Sequence, residues 1–309
     1  MDKIQRLFFE MKFDLFFYKE RGNGFEDLFA RIMKAKHKHD FIEVKTWGNK
    51  GDLKCDGYLQ SEGIIFQVYA PNQINGSKLV AKFEEDYEKA MIHWNGIVYQ
   101  WIFVQNAKDG VLGIDAVTLN EIEKYKIKEK VAIPILLWGI DEIKEIVFSL
   151  PAKEIISIFG EVPTMDDLSS LQIKHIEPFL MPFRVMSEGY ISDIEIKEVP
   201  QNKIQINYLS EYIQDLLKIG MRKAHLIEKI ISLGHEVDAV QNLSVAFQEK
   251  YKILKKEYKE NTDQIFYELR DFAGYKYVKN PTDEIAILTI LAYLFENCTI
   301  FESVPIYAE

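Results

Sequence analysis

Three oxygen-bearing residues in the N-terminal half have the types and the order that a divalent cation requires. Glu26 lies beside the apolar stripe of a predicted helix, Asp56 begins a predicted strand, and Gln67 lies on the next apolar strand. If these strands pair as a hairpin, Asp56 and Gln67 converge at one end of it. Their oxygens suit a hard cation, with Mg²⁺ the usual choice and Mn²⁺ an alternative. Such a cation assists phosphodiester cleavage by activating water and offsetting phosphate charge.

Short motifs carry these residues, and they are Phe25-Glu26, Gly51-Asp52-Leu53-Lys54-Cys55-Asp56-Gly57 and Gln67-Val68-Tyr69. Their order resembles the PD-(D/E)XK nuclease superfamily, whose Mrr-like restriction branch runs Phe-Glu, Gly-Asp-x-x-x-Asp-Gly and Gln-x-Lys. The resemblance implies that Asp56 and Gln67 are metal ligands and that Glu26 is a supporting acid at the metal. The same resemblance implies that Asp52 is a turn residue or contacts the metal ligands without binding the metal.

The sequence departs from that pattern at Tyr69, which stands where the superfamily has a lysine. An ordinary tyrosine has a pKa of about 10 and carries no positive charge at pH 7. Lys54, in the adjacent glycine-containing loop, is the residue that we expect to supply the missing charge as a catalytic group. Otherwise the site is degenerate and only binds.

Each of these residues also has a purely structural interpretation. Glu26 favours the dipole of its helix, Asp56 is a common turn residue, and Gln67 is a hydrogen-bonded amide in the core. The basic run 31–38 is either a solvated helix end or a patch that contacts phosphates. Only the joint order of the motifs favours a nuclease.

The apolar periodicity predicts two domains. Predicted helices cover 2–20, 25–38 and 78–94, and predicted strands cover 41–47, 56–59, 64–69, 98–104 and 133–138. We therefore expect a restriction-endonuclease-like α/β domain over 1–162, with a mixed sheet flanked by helices. A boundary near 161–178 precedes a mainly α-helical, partner-docking domain over 163–309, with β-like stretches at 190–196 and 203–208.

The C-terminal half carries a second resemblance, through the segments 262–269, 286–288 and 292–302. They resemble the C-terminal domain of effector subunits in ABC-three-component systems, which include the Lamassu anti-phage systems. The resemblance implies an SMC/Rad50-like ABC ATPase and a small middle component as partners, and self-association on activation. An apolar stripe on the helix near 243–258 either faces such partners or packs inside the domain.

Charge and composition exclude several classes of protein. The net charge of −10 argues against a chain that simply wraps DNA, and two distant cysteines argue against a disulfide framework or a structural zinc site. We find no secretory signal, no apolar run of about 20 residues for a membrane span, and no phosphate-binding Gly-Lys loop. A cytoplasmic protein without membrane contact is the expectation.

The sequence therefore predicts a Mg²⁺-dependent endodeoxyribonuclease that cleaves double-stranded DNA as the effector of a multi-subunit anti-phage complex. Two alternatives remain. The nuclease fold is catalytically degenerate and binds DNA or acts as an adaptor, or the helical half carries the function and the N-terminal half is a scaffold.

Overall fold

The structure is a computed structural model, and it describes residues 1–45, 53–71, 76–106, 114–129, 131, 133–184, 203–234, 236–259 and 261–302. The chain divides into two compact units, of which one is Lys12–Gly160 and the other joins Met1–Met11 to Glu161–Glu309. Across these described ranges, no helix combines the length and apolar content that crossing a bilayer requires.

The first unit is built on a five-stranded mixed sheet. Its strands are β1 (Phe41–Glu43), β2 (Gly57–Leu59), β3 (Ile64–Tyr69), β4 (Gln100–Gln105) and β5 (Ile135–Trp138). Its helices are α2 (Asn23–His37), α3 (Gly76–Trp94), α4 (Ala116–Lys128), α5 (Ile140–Ser149) and α6 (Ala152–Phe159), and α1 (Lys3–Lys19) crosses the unit boundary at Met11.

The strands lie in chain order. β1, β2 and β3 form an antiparallel meander, and β4 and β5 then join parallel to β3. The helices α3 and α4 make the crossovers, because parallel neighbours require long connections. In the register, Gly57 pairs with Phe66, and Gln67 pairs with Phe103.

Aromatic side chains cover both faces of this sheet. On one face, Ile65 and Phe103 pack under Phe83 of α3 in a core that also includes residues of α4. On the other face, Phe66 contacts Phe29 of α2 at a ring-centroid distance of 5.5 Å. Alternate residues of β3 therefore enter different cores, as the period of a strand requires.

The second unit is helical. Its described helices are α7 (Met165–Ser170), α8 (Ile173–Leu180), α9 (Lys203–Ile206), α10 (Glu211–Ser232), α11 (Val237–Tyr258), α12 (Thr262–Phe272) and α13 (Pro281–Glu296). The prediction of a mixed α/β N-terminal part and a mostly helical C-terminal part is thus confirmed. The resemblance to restriction endonucleases stays a prediction.

Helix α13 forms the centre of the second unit, because residues on all sides of it are buried. It lies close to α10, where a Cβ atom at Gly220 would collide with the backbone of Leu288 and with Ala292. Only glycine permits this close approach of the two helices.

The stripe on α11 is internal, which decides between the two interpretations of the sequence. Leu243, Phe247 and Leu254 are buried, and the Phe247 ring lies 4.9 Å from that of Phe272. The stripe is core of the helical unit and does not form an exposed docking face.

The prediction of β structure at 203–208 is wrong, because Lys203–Ile206 is a helical turn. The polar Lys203 and Asn207 are buried here, four residues apart, while Tyr208 is 87% exposed. The apolar alternation suggested a strand, whereas hydrogen bonds of the buried polar pair decide the conformation. The stretch 190–196 lies outside the described residues.

Candidate active site

Asp56 and Gln67, the two predicted metal ligands, lie side by side. The backbone N–H of Asp56 donates to the carbonyl of Phe66 at 2.8 Å. The Asp56 side chain accepts a hydrogen bond from the Val68 N–H at 2.6 Å. Because Gly57 pairs with Phe66, one further step of the antiparallel register brings Asp56 opposite Gln67.

Gln67 is buried, with 5% of its surface exposed, and its side-chain oxygen has no hydrogen-bond partner among the described residues. Nearly all buried polar atoms in proteins have a partner, and leaving one without costs about 1–3 kcal/mol. Within the described part of the chain, this oxygen is left for water or a ligand to bind.

The carboxylate of Asp56 and the amide oxygen of Gln67 form a donor set that fits a hard divalent cation. Histidine, cysteine, aspartate and glutamate alone supply no group of three metal-binding residues within the described part of the chain. Asp52 lies outside the described residues. A cation here would therefore depend on the amide oxygen, on water or on substrate as well as on carboxylates.

Glu26 lies in the first turn of α2, and it is partly buried. The N–H of Gly22, the residue before that helix, donates to the carbonyl of Ala70 at 2.8 Å. This bond fixes the start of α2 at the carboxyl end of β3. Glu26 is thus placed at the sheet edge at which β3 ends after Tyr69.

The turn before Asp56 is held in an unusual backbone conformation. Leu53 and Lys54 both have positive φ angles, of 56° and 59°. Such angles are uncommon outside glycine and cluster at functional sites. The Leu53 carbonyl accepts a hydrogen bond from the Trp94 indole at 3.1 Å, and this bond ties the turn to the end of α3.

Lys54 contacts the carboxylate of Asp86, a residue outside the predicted motifs. Its Nζ lies 3.1 Å from Oδ1 of Asp86, a fully buried residue of α3. Lys82, one helical turn earlier, approaches the same oxygen at 2.7 Å. The signal was present in the sequence, because Asp86 interrupts the apolar stripe formed by Leu79, Phe83 and Ala90.

Tyr69 packs against the core instead of supplying charge. Its ring lies 6.0 Å from that of Phe103. Burial raises the pKa of Tyr69 above its usual value, and the negative charge of Asp86 adds to this rise. The phenol therefore stays neutral and cannot replace the charge of a lysine.

The basic run on α2 is engaged by neighbouring elements. Lys34 bonds to Glu43, Lys36 bonds to Ser149 at 2.8 Å, and Lys38 bonds to Glu154 at 2.8 Å. Arg31 donates to the carbonyl of Ile158. These contacts favour the structural interpretation of the run over a phosphate-contacting patch.

Comparison with known proteins finds a match for the C-terminal part. Residues 188–302 match the family model of C-terminal domain 10 of the ABC-three component (ABC-3C) systems. This match supports membership of the protein in an ABC-three-component system, a class of defence system. No curated protein and no solved structure matches the chain.

Proposed function

We propose that this protein is the nuclease effector of a Lamassu-type ABC-three-component system and that its N-terminal unit is a metal-dependent DNA endonuclease of the PD-(D/E)XK, Mrr-like type. The C-terminal family match supports the system, and the motif resemblance supports the chemistry. The order of helix, antiparallel meander and parallel crossover agrees with the fold that the resemblance implies.

The observation that carries the proposed chemistry is the position of Asp56 beside the oxygen of Gln67, which has no partner among the described residues. These two residues would hold Mg²⁺ or Mn²⁺, with Glu26 as the supporting acid at the same edge. A bound divalent cation would polarise the phosphate and lower the pKa of water. Asp56 and Gln67 orient the site, because both are fixed to the strand pair by backbone hydrogen bonds.

Lys54 is the proposed source of the positive charge that Tyr69 lacks. Its ion pair with Asp86 restrains the ammonium group next to the strand ends that carry the ligands. A preorganised cation stabilises the charge that develops on a phosphate during hydrolysis. An aliphatic stem of four carbons lets the group shift towards a phosphate while it stays near Asp86.

The proposed partners follow from the system. An SMC/Rad50-like ABC ATPase and a small middle component would activate the chain, through release or self-association, in the cytoplasm. The substrate is double-stranded DNA. The net charge of −10 agrees with an effector that borrows its affinity for DNA from its partners.

A second candidate function is favoured by Tyr69. The residue is uncharged and packed, so a site without the usual lysine suits a catalytically degenerate subunit that binds DNA or acts as an adaptor.

A plasmid assay separates these functions. The purified full chain, alone and with its co-expressed genetic neighbours, is incubated with supercoiled plasmid in Mg²⁺ and in EDTA. Cleavage in Mg²⁺ that Asp56→Asn abolishes supports the nuclease. Retarded but uncut DNA supports the binding subunit. DNA that is neither cut nor retarded supports the adaptor. Recovery of an ABC ATPase with the tagged chain tests the proposed complex independently.

A further inference from the structure

Asp86 is an acidic residue inside an aromatic layer. It lies on α3 between Phe83 and Tyr87, both of which pack against the Trp101 ring, and its side chain is 0% exposed. Taking a carboxylate out of water is costly unless cations and hydrogen bonds compensate for it. The compensation here comes from two lysines, Lys54 and Lys82.

Both lysines approach the same oxygen of Asp86. The Nζ atoms of Lys54 and Lys82 lie 3.1 Å and 2.7 Å from Oδ1, while Oδ2 has no hydrogen-bond partner among the residues that the structure describes. One carboxylate and two ammonium groups leave a formal charge of +1, and the carboxylate of Glu85, the preceding residue of α3, also acts on both lysines.

The lysines are accessible although their carboxylate is not. The side chains of Lys54 and Lys82 are 26% and 28% exposed, whereas Asp86 is completely covered. The cluster therefore presents ammonium groups to solvent and keeps its negative partner behind them.

The cluster lies beside the candidate active site. Lys54 is two residues from Asp56, whose carboxylate is bonded to Val68 on β3. The charge of Asp86 also acts on Tyr69, the next residue of β3 on the face that carries Gln67. The two ammonium groups are therefore close to where the proposed substrate phosphate would lie.

We infer that Asp86 is a positioning residue that holds Lys54 and Lys82 together as a two-lysine binding group for a backbone phosphate of DNA. This inference rests on the proposed nuclease function and adds Lys82 to the residues that contact the substrate. Each ammonium group has three donors, so Lys82 keeps donors for a phosphate oxygen while one is directed at Asp86.

The test measures binding and cleavage separately on the full chain in complex with its co-expressed genetic neighbours, because the proposed effector borrows its DNA affinity from them. Binding of a short fluorescein-labelled DNA duplex is followed by anisotropy in EDTA at several salt concentrations. Loss of one phosphate contact reduces the slope of log K against log salt by about 0.9. We expect Lys82→Gln to show this reduction, with an affinity about 3- to 10-fold weaker at low salt.

The matched control is Lys128→Gln, which removes an exposed lysine from α4. Lys128 pairs with Glu129, and its side chain is 80% exposed. We expect its slope and affinity to equal those of the wild-type complex. Equal behaviour of Lys82→Gln and Lys128→Gln, or no binding of the duplex by the wild-type complex, overturns the inference.

Asp86→Asn separates positioning from a merely structural role. It removes a negative charge, so binding of the duplex stays equal or becomes tighter, while the released lysines lower kcat in Mg²⁺ by about 10-fold or more. A parallel fall of binding, kcat and melting temperature would show that Asp86 only maintains the fold. An uncut plasmid with the wild-type complex would contradict the proposed nuclease, while the binding measurements would still decide the role of Lys82.

Discussion

The carboxylate of Asp56 accepts a hydrogen bond of 2.6 Å from the backbone N–H of Val68, the residue between Gln67 and Tyr69. The same side chain that is predicted to bind a cation therefore also joins β2 to β3. Substitution of Asp56 therefore acts on the candidate site and on the local structure, and the choice of the new side chain separates the two effects.

Asp56→Asn should abolish Mg²⁺-dependent plasmid cleavage, by about 100-fold or more, with little change in melting temperature. Asparagine keeps an oxygen for the Val68 N–H but loses the negative charge that a cation needs. Asp56→Ala should lose activity and also about 1 kcal/mol of stability, because the partly buried hydrogen bond to the Val68 N–H is lost. Asp141→Asn, an exposed substitution in α5, is the control for cleavage. Full activity of the purified Asp56→Asn protein would refute the site.

Gln67→Met should remove cleavage without lowering stability. The substituted side chain has a similar size and no polar oxygen, so a buried atom without a partner disappears. The free energy of unfolding, measured in urea, should be equal to that of the wild type or up to about 2 kcal/mol higher. Retained cleavage in this variant would show that the oxygen of Gln67 is not a ligand. A clear loss of stability would show that this oxygen has a structural partner.

Lys54→Met should lower kcat by about 100-fold, since one preorganised cation near the phosphate is lost while the aliphatic stem remains. Tyr69→Phe should be mild, because the ring packs and the neutral phenol supplies no charge. Lys128→Met, on the exposed end of α4, controls for a general change of charge. The opposite order, with Tyr69→Phe inactive and Lys54→Met near wild type, would show that the phenol itself takes part.

The helical unit should become more stable as pH rises above neutrality. Burial lowers the pKa of Lys203 to about 8, from an ordinary value of 10.5, although Cys298 and Glu302 oppose the shift. The unfolded chain then binds more protons than the folded one between these values, so the free energy of unfolding rises with pH there.

Lys203→Met should lose this increase, which is on the order of 2 kcal/mol between about pH 8 and pH 10. It should also be less stable at all pH values, because Lys203 donates to the Phe295 carbonyl and to the Ile300 carbonyl at 2.9 Å. Guanidinium unfolding of both proteins at the two pH values measures the difference. Parallel pH profiles would show that Lys203 titrates normally.

Phe247→Ala should destabilise the helical unit by about 3–5 kcal/mol, because Phe247 is completely buried against Phe183 and Phe272. Any loss of the ATPase partner in a pull-down should follow the loss of folded protein seen by circular dichroism. A folded Phe247→Ala protein that no longer recruits the partner would show that the α11 stripe is a docking surface.

The sequence by itself determined the local features of the N-terminal unit. The short connection from β2 to β3 is enough to bring Asp56 opposite Gln67, since register in a hairpin depends on neighbouring residues. The mixed sheet and the helical C-terminal half were also predictable from periodicity. The segments 262–269 and 292–302 carried the resemblance to ABC-three-component proteins that the family match supports.

Only the tertiary structure decided which side chains meet across long stretches of chain. Lys54 and Asp86 are 32 residues apart in number (86 − 54), and their contact depends on how α3 packs over the sheet. Lys203 and Asn207 are buried because the end of α13 and Glu302 offer them carbonyl oxygens as hydrogen-bond acceptors. The local alternation of apolar residues cannot reveal these distant acceptors. The sequence left open whether the stripe that includes Phe247 faces a partner or the core, because an amphipathic helix specifies an apolar face but not what covers it. The packing of Phe247 against Phe272 shows that the stripe faces the core.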